Sequence, residues 1–430
     1  MRILLAQKLP YVPALSGASK FARALLEGLA QRNHSCRVLA LMDAPNVALQ
    51  RAHFQHQLDR TDLRATATSS GIEVFHCNGV EVHSVSDGLR LGAHLVEQMK
   101  SFKPTWTLVS EDPTYLLLTA ATEVDPRRTV FLSLSQATLP FGPESFSLDP
   151  SKAHMLRQVA GIITLGHYLK NYIHRWSGLE SVVTSLPLYG TGPFPYLGSF
   201  DNRFVTMINP SAIKGGSILL ELARRLPDID FAAVPTWATT TADRIALQQV
   251  RNIRLLMADE NIDAIFAQTR VLIVPSLWGE AFGMIVIEAM LRGIPVVASN
   301  VGGLPEAKLG IDYVLPVRPI ERYEDRRDDK LLPVPMVPDQ DVGPWLEALR
   351  LLLSDREHYH QLSTASRRAA SDYVSTLSFE PVEKYLESLL LADETLNGRH
   401  DQESHEFPNR FENLSSERLQ LLARLLGKNV

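Results

Sequence analysis

Residues 274–306 read VPSLWGEAFGMIVIEAMLRGIPVVASNVGGLPE. The stretch opens on the end of an apolar run, 271–274, that reads as a buried strand. Pro275 and Ser276 stop the strand, and Gly279 and Gly283 bracket a short loop. Residues 284–291 suit a buried helix closed by Gly293 and Pro295, and 296–298 reads as the next strand. Strand, glycine loop, helix, strand is the unit of a parallel α/β sheet. The free backbone N–H groups and the dipole at such a helix start favour an anion. Two acids frame that start: Glu280 in the loop and Glu288 eight positions on, in the helix. Carboxylates accept hydrogen bonds from hydroxyls and repel a phosphate placed directly on them. Amides for phosphate beside carboxylates for hydroxyls match the chemistry of a nucleotide-sugar.

The run E-A-F-G-M-I-V-I-E, preceded by P-S and followed by G-I-P-V-V-A-S and G-G-L-P-E, resembles the E-x7-E signature of glycosyltransferase family 4. These are retaining enzymes, also grouped as glycosyl transferases group 1. The resemblance implies an α/β fold of GT-B architecture, two Rossmann-like domains facing a central cleft. It implies that the backbone of Phe282, Gly283, Met284 and Ile285 faces the donor's diphosphate, that Glu280 binds sugar hydroxyls and that Glu288 binds the ribose. A second segment, N-P-S-A-I-K-G-G, places Lys214 where the family carries a lysine before glycine. There the resemblance implies a cation for the diphosphate, and charge on that leaving group grows in the transition state.

Three departures accompany the resemblance. The family has an arginine five residues before the lysine, and Asn209 stands there. Arg203, Lys20 and Arg254 are the cations that could replace it. In the first domain the loop P-A-L-S-G-A-S-K keeps one glycine, Gly17, followed by Ala18, where the family has a glycine pair facing the diphosphate. Near 136 the family has a histidine, and this chain has Ser135 and Gln136, neither of which is a general base near neutral pH.

A chain of 430 residues is long for one domain. The expected division is an acceptor-binding Rossmann-like domain at 1–195, a nucleotide-sugar-binding one at 204–375, a helix at 376–391 crossing back to the first, and a tail at 392–430. The first is read from strands at 2–6, 37–41, 72–76, 106–110, 129–134 and 160–165, with helices between them. The Pro- and Gly-rich stretch 187–203 reads as the linker. Strands at 203–208 and 231–234 open the second domain, and 252–257 precedes a loop that the resemblance implies clasps the nucleotide base. A charged, Pro-rich stretch, 317–338, reads as an exposed insertion. Residues 43–70 are polar, without clear strand signals, and read as a helix or mobile segment near the acceptor cleft; His53 and His56 there lack zinc-ligand spacing. Phe141 and Phe146, in P-F-G-P-E-S-F, and Trp237 face either ligand or core.

Hydrophobic content of 45% with 21% charged residues is ordinary for a globular protein, and a net charge of −5 argues against nucleic acid as partner. Cys36 and Cys77 are too few for a disulfide scaffold, which fits a cytoplasmic setting. No run reaches membrane-span length, so a lipid-linked acceptor would be met peripherally. No metal is expected: Asp228-Ile229-Asp230 resembles the D-x-D of another architecture but sits at a helix-to-strand junction. The tail reads as a polar flexible linker ending in a capped amphipathic helix, L-S-S-E-R-L-Q-L-L-A-R-L-L-G. That helix resembles short interdomain helices of peptide and polyketide megasynthases. Docking to such a partner through 414–427, with tailoring of a natural product, is one expectation and a self-packing helix the other.

The expected activity is transfer of a sugar from a nucleotide-sugar, a UDP- or GDP-sugar, to a hydroxyl of a small-molecule or lipid-linked acceptor, with no further cofactor. Two rivals stay open. One is a phosphorylase-like or epimerase-like GT-B enzyme; the other is a catalytically inactive GT-B scaffold that binds partners.

Overall fold

The apolar runs at 2–6, 106–110 and 129–133 lie side by side as the centre of one sheet, because each is flanked by helices that cover both of its faces. The computed structural model describes residues 1–14, 16–42, 67–69, 71–110, 112–190, 192–259 and 261–400, the side chains of 67–69 and 392–400 excepted. The readings placed on 43–66, His53 and His56 among them, and on 401–430 lie outside these residues. Contacts divide the chain into one compact unit, Met1–Leu386, and a second, Glu387–Val430.

The N-terminal half runs β1 (Arg2–Ala6), α1 (Gly17–Gln31), β2 (Ser35–Leu41), β3 (Ala67–Ser69), β4 (Ile72–Cys77), β5 (Val80–Val85), α2 (Leu91–Phe102), β6 (Trp106–Ser110), α3 (Leu116–Val124), β7 (Thr129–Ser133), α4 (Pro150–Leu156), β8 (Gly161–Thr164), α5 (His167–Ser177) and β9 (Val182–Val183). Its sheet has the order β3-β4-β5-β2-β1-β6-β7-β8-β9. All pairs are parallel except β3–β4 and β4–β5. The β4–β5 hairpin turns on Asn78 and Gly79, with φ of 46° and 83°. Both central residues left-handed is the two-residue turn that matches strand twist.

The C-terminal half runs β10 (Phe204–Ile208), α6 (Gly216–Arg225), β11 (Phe231–Val234), α7 (Thr241–Gln248), β12 (Ile253–Leu255), α8 (Asp263–Phe266), β13 (Thr269–Val274), α9 (Met284–Leu291), β14 (Val296–Ser299), α10 (Leu304–Ala307), β15 (Val314–Leu315), β16 (Tyr323–Arg327), β17 (Pro333–Pro335), α11 (Gly343–Ser354), α12 (Arg356–Ser375) and α13 (Glu380–His400). The main sheet here is fully parallel, in the order β12-β11-β10-β13-β14-β15. Counted within this half that is 3-2-1-4-5-6, the doubly wound dinucleotide-binding order. Each half has its own core: Phe131, Leu95 and Ile173 in the first, Phe231, Trp345 and Tyr359 in the second.

Two features lie away from the sheets, and the first of them connects the halves. The first turns of α13 bury Val382 and Leu386 completely. Glu383 there pairs with Arg32 at 2.5 Å and His34 at 2.8 Å, and the Trp106 indole donates to the Leu386 carbonyl at 3.1 Å. The second feature is the 317–338 insertion, which forms the antiparallel hairpin β16–β17. Glu324 through Arg327 are exposed, but Ile320 is buried and its N–H donates to the Leu277 carbonyl at 2.8 Å. The insertion is therefore anchored beside the loop that carries Glu280.

Candidate functional site

In a doubly wound sheet, ligands bind where the strand order reverses, beyond the C-terminal ends of the two strands that flank the reversal. In the C-terminal half that point lies between β10 and β13. The loop after β10 carries Lys214, and the loop after β13 carries Glu280. They meet there: Lys214 Nζ lies 2.6 Å from Glu280 Oε1, which also accepts from Ser276 Oγ at 2.5 Å. The lysine ammonium sits 4.5 Å above the Trp278 ring and 5.8 Å from that of Trp237. Only 14% of the Lys214 side chain and 17% of that of Glu280 reach solvent, so the pair is shielded enough for its charges to act on a ligand.

Glycine sets how closely these loops approach. Gly215 has φ +85°, and a Cβ there would overlap the Pro275 carbonyl oxygen. Gly283 has φ +104° and is the residue before the first turn of α9, where the amides of Met284 and Ile285 begin the helix. Alanine at 215 adds both left-handed strain and a collision with backbone, so Gly215→Ala is expected to cost at least about 2 kcal/mol, read as a lower urea midpoint.

Asn209 does not take up a cationic role. It lies in the left-handed region at φ +60°, a conformation asparagine tolerates well, and is 5% exposed. Its Oδ1 accepts from the Ala238 N–H and the Thr239 hydroxyl, both at 3.2 Å, so it braces the loop after β11. Of the three candidate replacements, Arg203 is held by Asp230 at 2.7 Å on the surface and Arg254 is exposed on β12. Lys20 reaches the site: its Nζ is 2.8 Å from Glu288 Oε1. It comes from α1 of the other half, whose first residue, Gly17, lies against the methyl of Met284. The starts of α1 and α9 thus face each other, with Gly17, Met284, Lys20 and Glu288 between them. Phe282 is 5% exposed and stacks on Tyr373 at 6.0 Å, and Gly303 packs closely on its Cα, so the residue anchors the loop.

The N-terminal half also grips the peptide just before Glu280. The Gly279 N–H donates to Glu144 Oε2 at 2.9 Å, and Gln136 Nε2 donates to the Gly279 carbonyl. Gln136 donates to Glu144 as well, at 3.1 Å, and Tyr168 donates its hydroxyl to Glu144 Oε1. Burial and the adjacent Glu144 carboxylate push the Tyr168 hydroxyl far above its ordinary value of 10, so it stays a donor. In return Glu306 caps α5, accepting from the N–H groups of His167 at 2.9 Å and Tyr168 at 3.4 Å. Phe146, on the same loop as Glu144, stacks on Trp278 at 6.1 Å and meets Tyr323 of the insertion edge-on at 5.2 Å. Phe141 is buried in the first core instead.

Gln136, Glu144, Tyr168 and Trp278 thus surround the Glu280 loop; of these only Gln136, standing where the resemblance puts a histidine, carried a signal in the sequence. Asp230 of the D-x-D is occupied by Arg203, and the described residues contain no group of three or more side chains that could hold a metal. No helix among them is long and apolar enough to cross a membrane.

Residues 244–308, which include the acid loop and α9, match the family model described as Glycosyl transferases group 1. The D-inositol 3-phosphate glycosyltransferase of Mycobacterium sp. (strain KMS) is 28% identical over 186 residues, 41% of this chain. The match spans 36% of that relative's length. Among solved structures, sucrose-phosphate synthase from Thermosynechococcus elongatus superposes with a TM-score of 0.62 at 14% identity, covering 94% of this chain and 100% of the other. HepE from Anabaena, in complex with UDP and glucose, gives 0.60 at 17%, covering 90% and 100%. The architecture is therefore GT-B, and the stretch around its C-terminal switch point matches a group 1 glycosyl transferase domain.

Proposed function

We propose that the protein is a retaining, metal-independent glycosyltransferase of family 4 that moves a sugar from a nucleotide-sugar to an acceptor hydroxyl. The observation that carries this reading is the Lys214–Glu280 pair at the switch point, next to the start of α9. An ammonium has three N–H groups and Glu280 takes one, so Lys214 has two for a diphosphate. Glu280 accepts from hydroxyls of the transferred sugar. The pair thus flanks the bond that breaks, cation on the phosphate side and carboxylate on the sugar side. The amides from Phe282 to Ile285 add the positive end of α9, and Gly17 lets the α1 loop approach the same anion. Glu288 Oε1 is taken by Lys20, and its other oxygen accepts from the ribose. The N-terminal half binds the acceptor, a small molecule or a lipid-linked one. Retention follows the family's front-face displacement, without a protein nucleophile. The solved neighbour with bound UDP supports a nucleoside diphosphate as ligand.

A thermal-shift panel of UDP, GDP, ADP and dTDP, with their sugars, tests this on wild type and Glu288→Ala. A ligand at about 100-fold its Kd adds about 2.7 kcal/mol, a shift of a few degrees for a chain this size. One nucleotide is expected to stabilise wild type and to fail on the variant, naming the donor class. No stabilisation by any of them would overturn the reading.

A further inference from the structure

We infer that Glu144 and Gln136 are positioning residues that fix the Gly279–Glu280 peptide, so that Glu280 is set in place only when the two halves meet; this rests on the donor site proposed above. Gly279 is held on both of its backbone groups from the other half, its N–H by Glu144 and its carbonyl by Gln136. The next peptide is fixed within its own half, where the Gly303 N–H donates to the Glu280 carbonyl at 2.6 Å. Neither grip leaves slack. A Cβ on Gly279 would collide with both Glu144 and Tyr168, so this position accepts only glycine while the bracket is closed.

The bracket is itself braced. Gln136 is 1% exposed, and its Nε2 faces two acceptors, the Gly279 carbonyl and Glu144, which fixes its amide in one orientation. Glu144 spends one oxygen on Tyr168 and the other on Gly279 and Gln136. Its own N–H donates to the Tyr172 hydroxyl at 3.0 Å. Tyr168 is oriented by the start of α5, and that start is capped by Glu306 from the C-terminal half. The contacts therefore run as a circuit: Glu306 to α5, Tyr168 to Glu144, Glu144 to Gly279, and so to Glu280. A carboxylate so fully engaged is not a free base, and glutamine at 136 is not one either. Their chemistry suits holding a backbone in place. Glu280 then keeps its working geometry only while Glu144 and Gln136 hold Gly279, and a molecule without that hold binds the nucleotide-sugar but turns it over poorly.

The test uses the full chain with Glu144→Ala, Glu144→Gln and Gln136→Ala. Three quantities are read: kcat and KM for release of nucleoside diphosphate from whichever nucleotide-sugar stabilises wild type in the thermal-shift panel, thermal stabilisation by its nucleoside diphosphate, and backbone hydrogen exchange over 277–282. Glutamine at 144 can still accept from Gly279 and Gln136 while its amide donates to the Tyr168 hydroxyl, which rotates to accept. Glu144→Ala and Gln136→Ala are expected to lower kcat about 10- to 100-fold, with KM for the donor and nucleotide stabilisation near wild type. Exchange over 277–282 should rise in both, and Glu144→Gln should restore kcat and protection together. Unchanged kcat in Glu144→Ala overturns the inference, as does a loss confined to KM. Equal loss in Glu144→Gln with an altered pH profile also overturns it, because that marks a base. If wild type binds no nucleotide, the proposed function fails instead. Exchange then decides the bracket alone: protection lost in alanine and kept in glutamine supports it, and unchanged protection overturns it.

Discussion

Replacing Lys214 by alanine should lower kcat for sugar transfer about 100- to 1000-fold and leave the melting temperature within a few degrees of wild type. The size follows from where charge grows. As the glycosidic bond breaks, negative charge builds on the departing diphosphate, and a fixed donor aimed at developing charge in a shielded site is worth about 3 to 4 kcal/mol. The Lys214 side chain is 14% exposed and its ammonium lies over Trp278 and is tethered to Glu280, so it needs little reorganisation when that charge appears. Because the ground-state diphosphate is already charged, part of the loss will fall on KM, but the larger part belongs to kcat. Lys214→Arg keeps the charge but must fit a planar fork between Trp278 and Glu280, so partial recovery is expected. A Lys214→Ala enzyme within threefold of wild-type kcat would remove this lysine from the chemistry. Its measurement needs only steady-state release of nucleoside diphosphate.

How much of this was legible in the sequence depends on the range of the contact. Strand, glycine loop and helix at 274–291 each answer a local demand: apolar residues for a buried strand, glycine where φ is positive, apolar periodicity for α9. The α/β fold could therefore be read from that stretch and extended to both halves. Lys214 and Glu280 lie 66 residues apart; the resemblance named both, and the strand order shows why they meet, in the loops after the two strands that flank the switch point. Gln136 and Glu144 meet Gly279 across 143 and 135 residues. They come from an irregular loop with no periodicity, and although the resemblance puts a histidine where Gln136 stands, nothing nearby marks Gly279 as its partner. Lys20 is among the cations named to replace the missing arginine, but its context, an ordinary first turn of a helix, does not single it out from Arg203 and Arg254. One local signal was present and unused: Asn78-Gly79 between two apolar-rich runs is a strong hairpin signature, and it predicts the antiparallel β4–β5 pair. The insertion hairpin had no such signature, since β16 is charged and exposed along nearly its whole length.

Relative to Lys308→Met, the wild-type protein should gain stability as pH rises from about 7 to 10.5. Lys308 follows α10, and its side chain is among the largest fully buried ones. Its Nζ donates to the Val296 carbonyl at 2.5 Å, tying α10, which carries Glu306, to β14. Burial pushes its amine from the ordinary 10.5 down to about 7, with Asp312 opposing weakly. The sign follows from proton counting. Between those two values the unfolded chain holds the proton and the folded one does not, so raising the pH favours the folded state. At about 1.4 kcal/mol per tenfold change in proton affinity, the gap from 10.5 to about 7 corresponds to about 5 kcal/mol, an order-of-magnitude figure. The full penalty applies below pH 7 and is gone above 10.5. Methionine fills similar space without a charge to desolvate, but leaves the Val296 carbonyl without its donor at a cost of about 1 to 3 kcal/mol. Lys308→Met should therefore unfold at higher urea than wild type at pH 7 and at lower urea at pH 10. A difference of the same sign and size at both values would show that Lys308 keeps its ordinary proton affinity inside the fold.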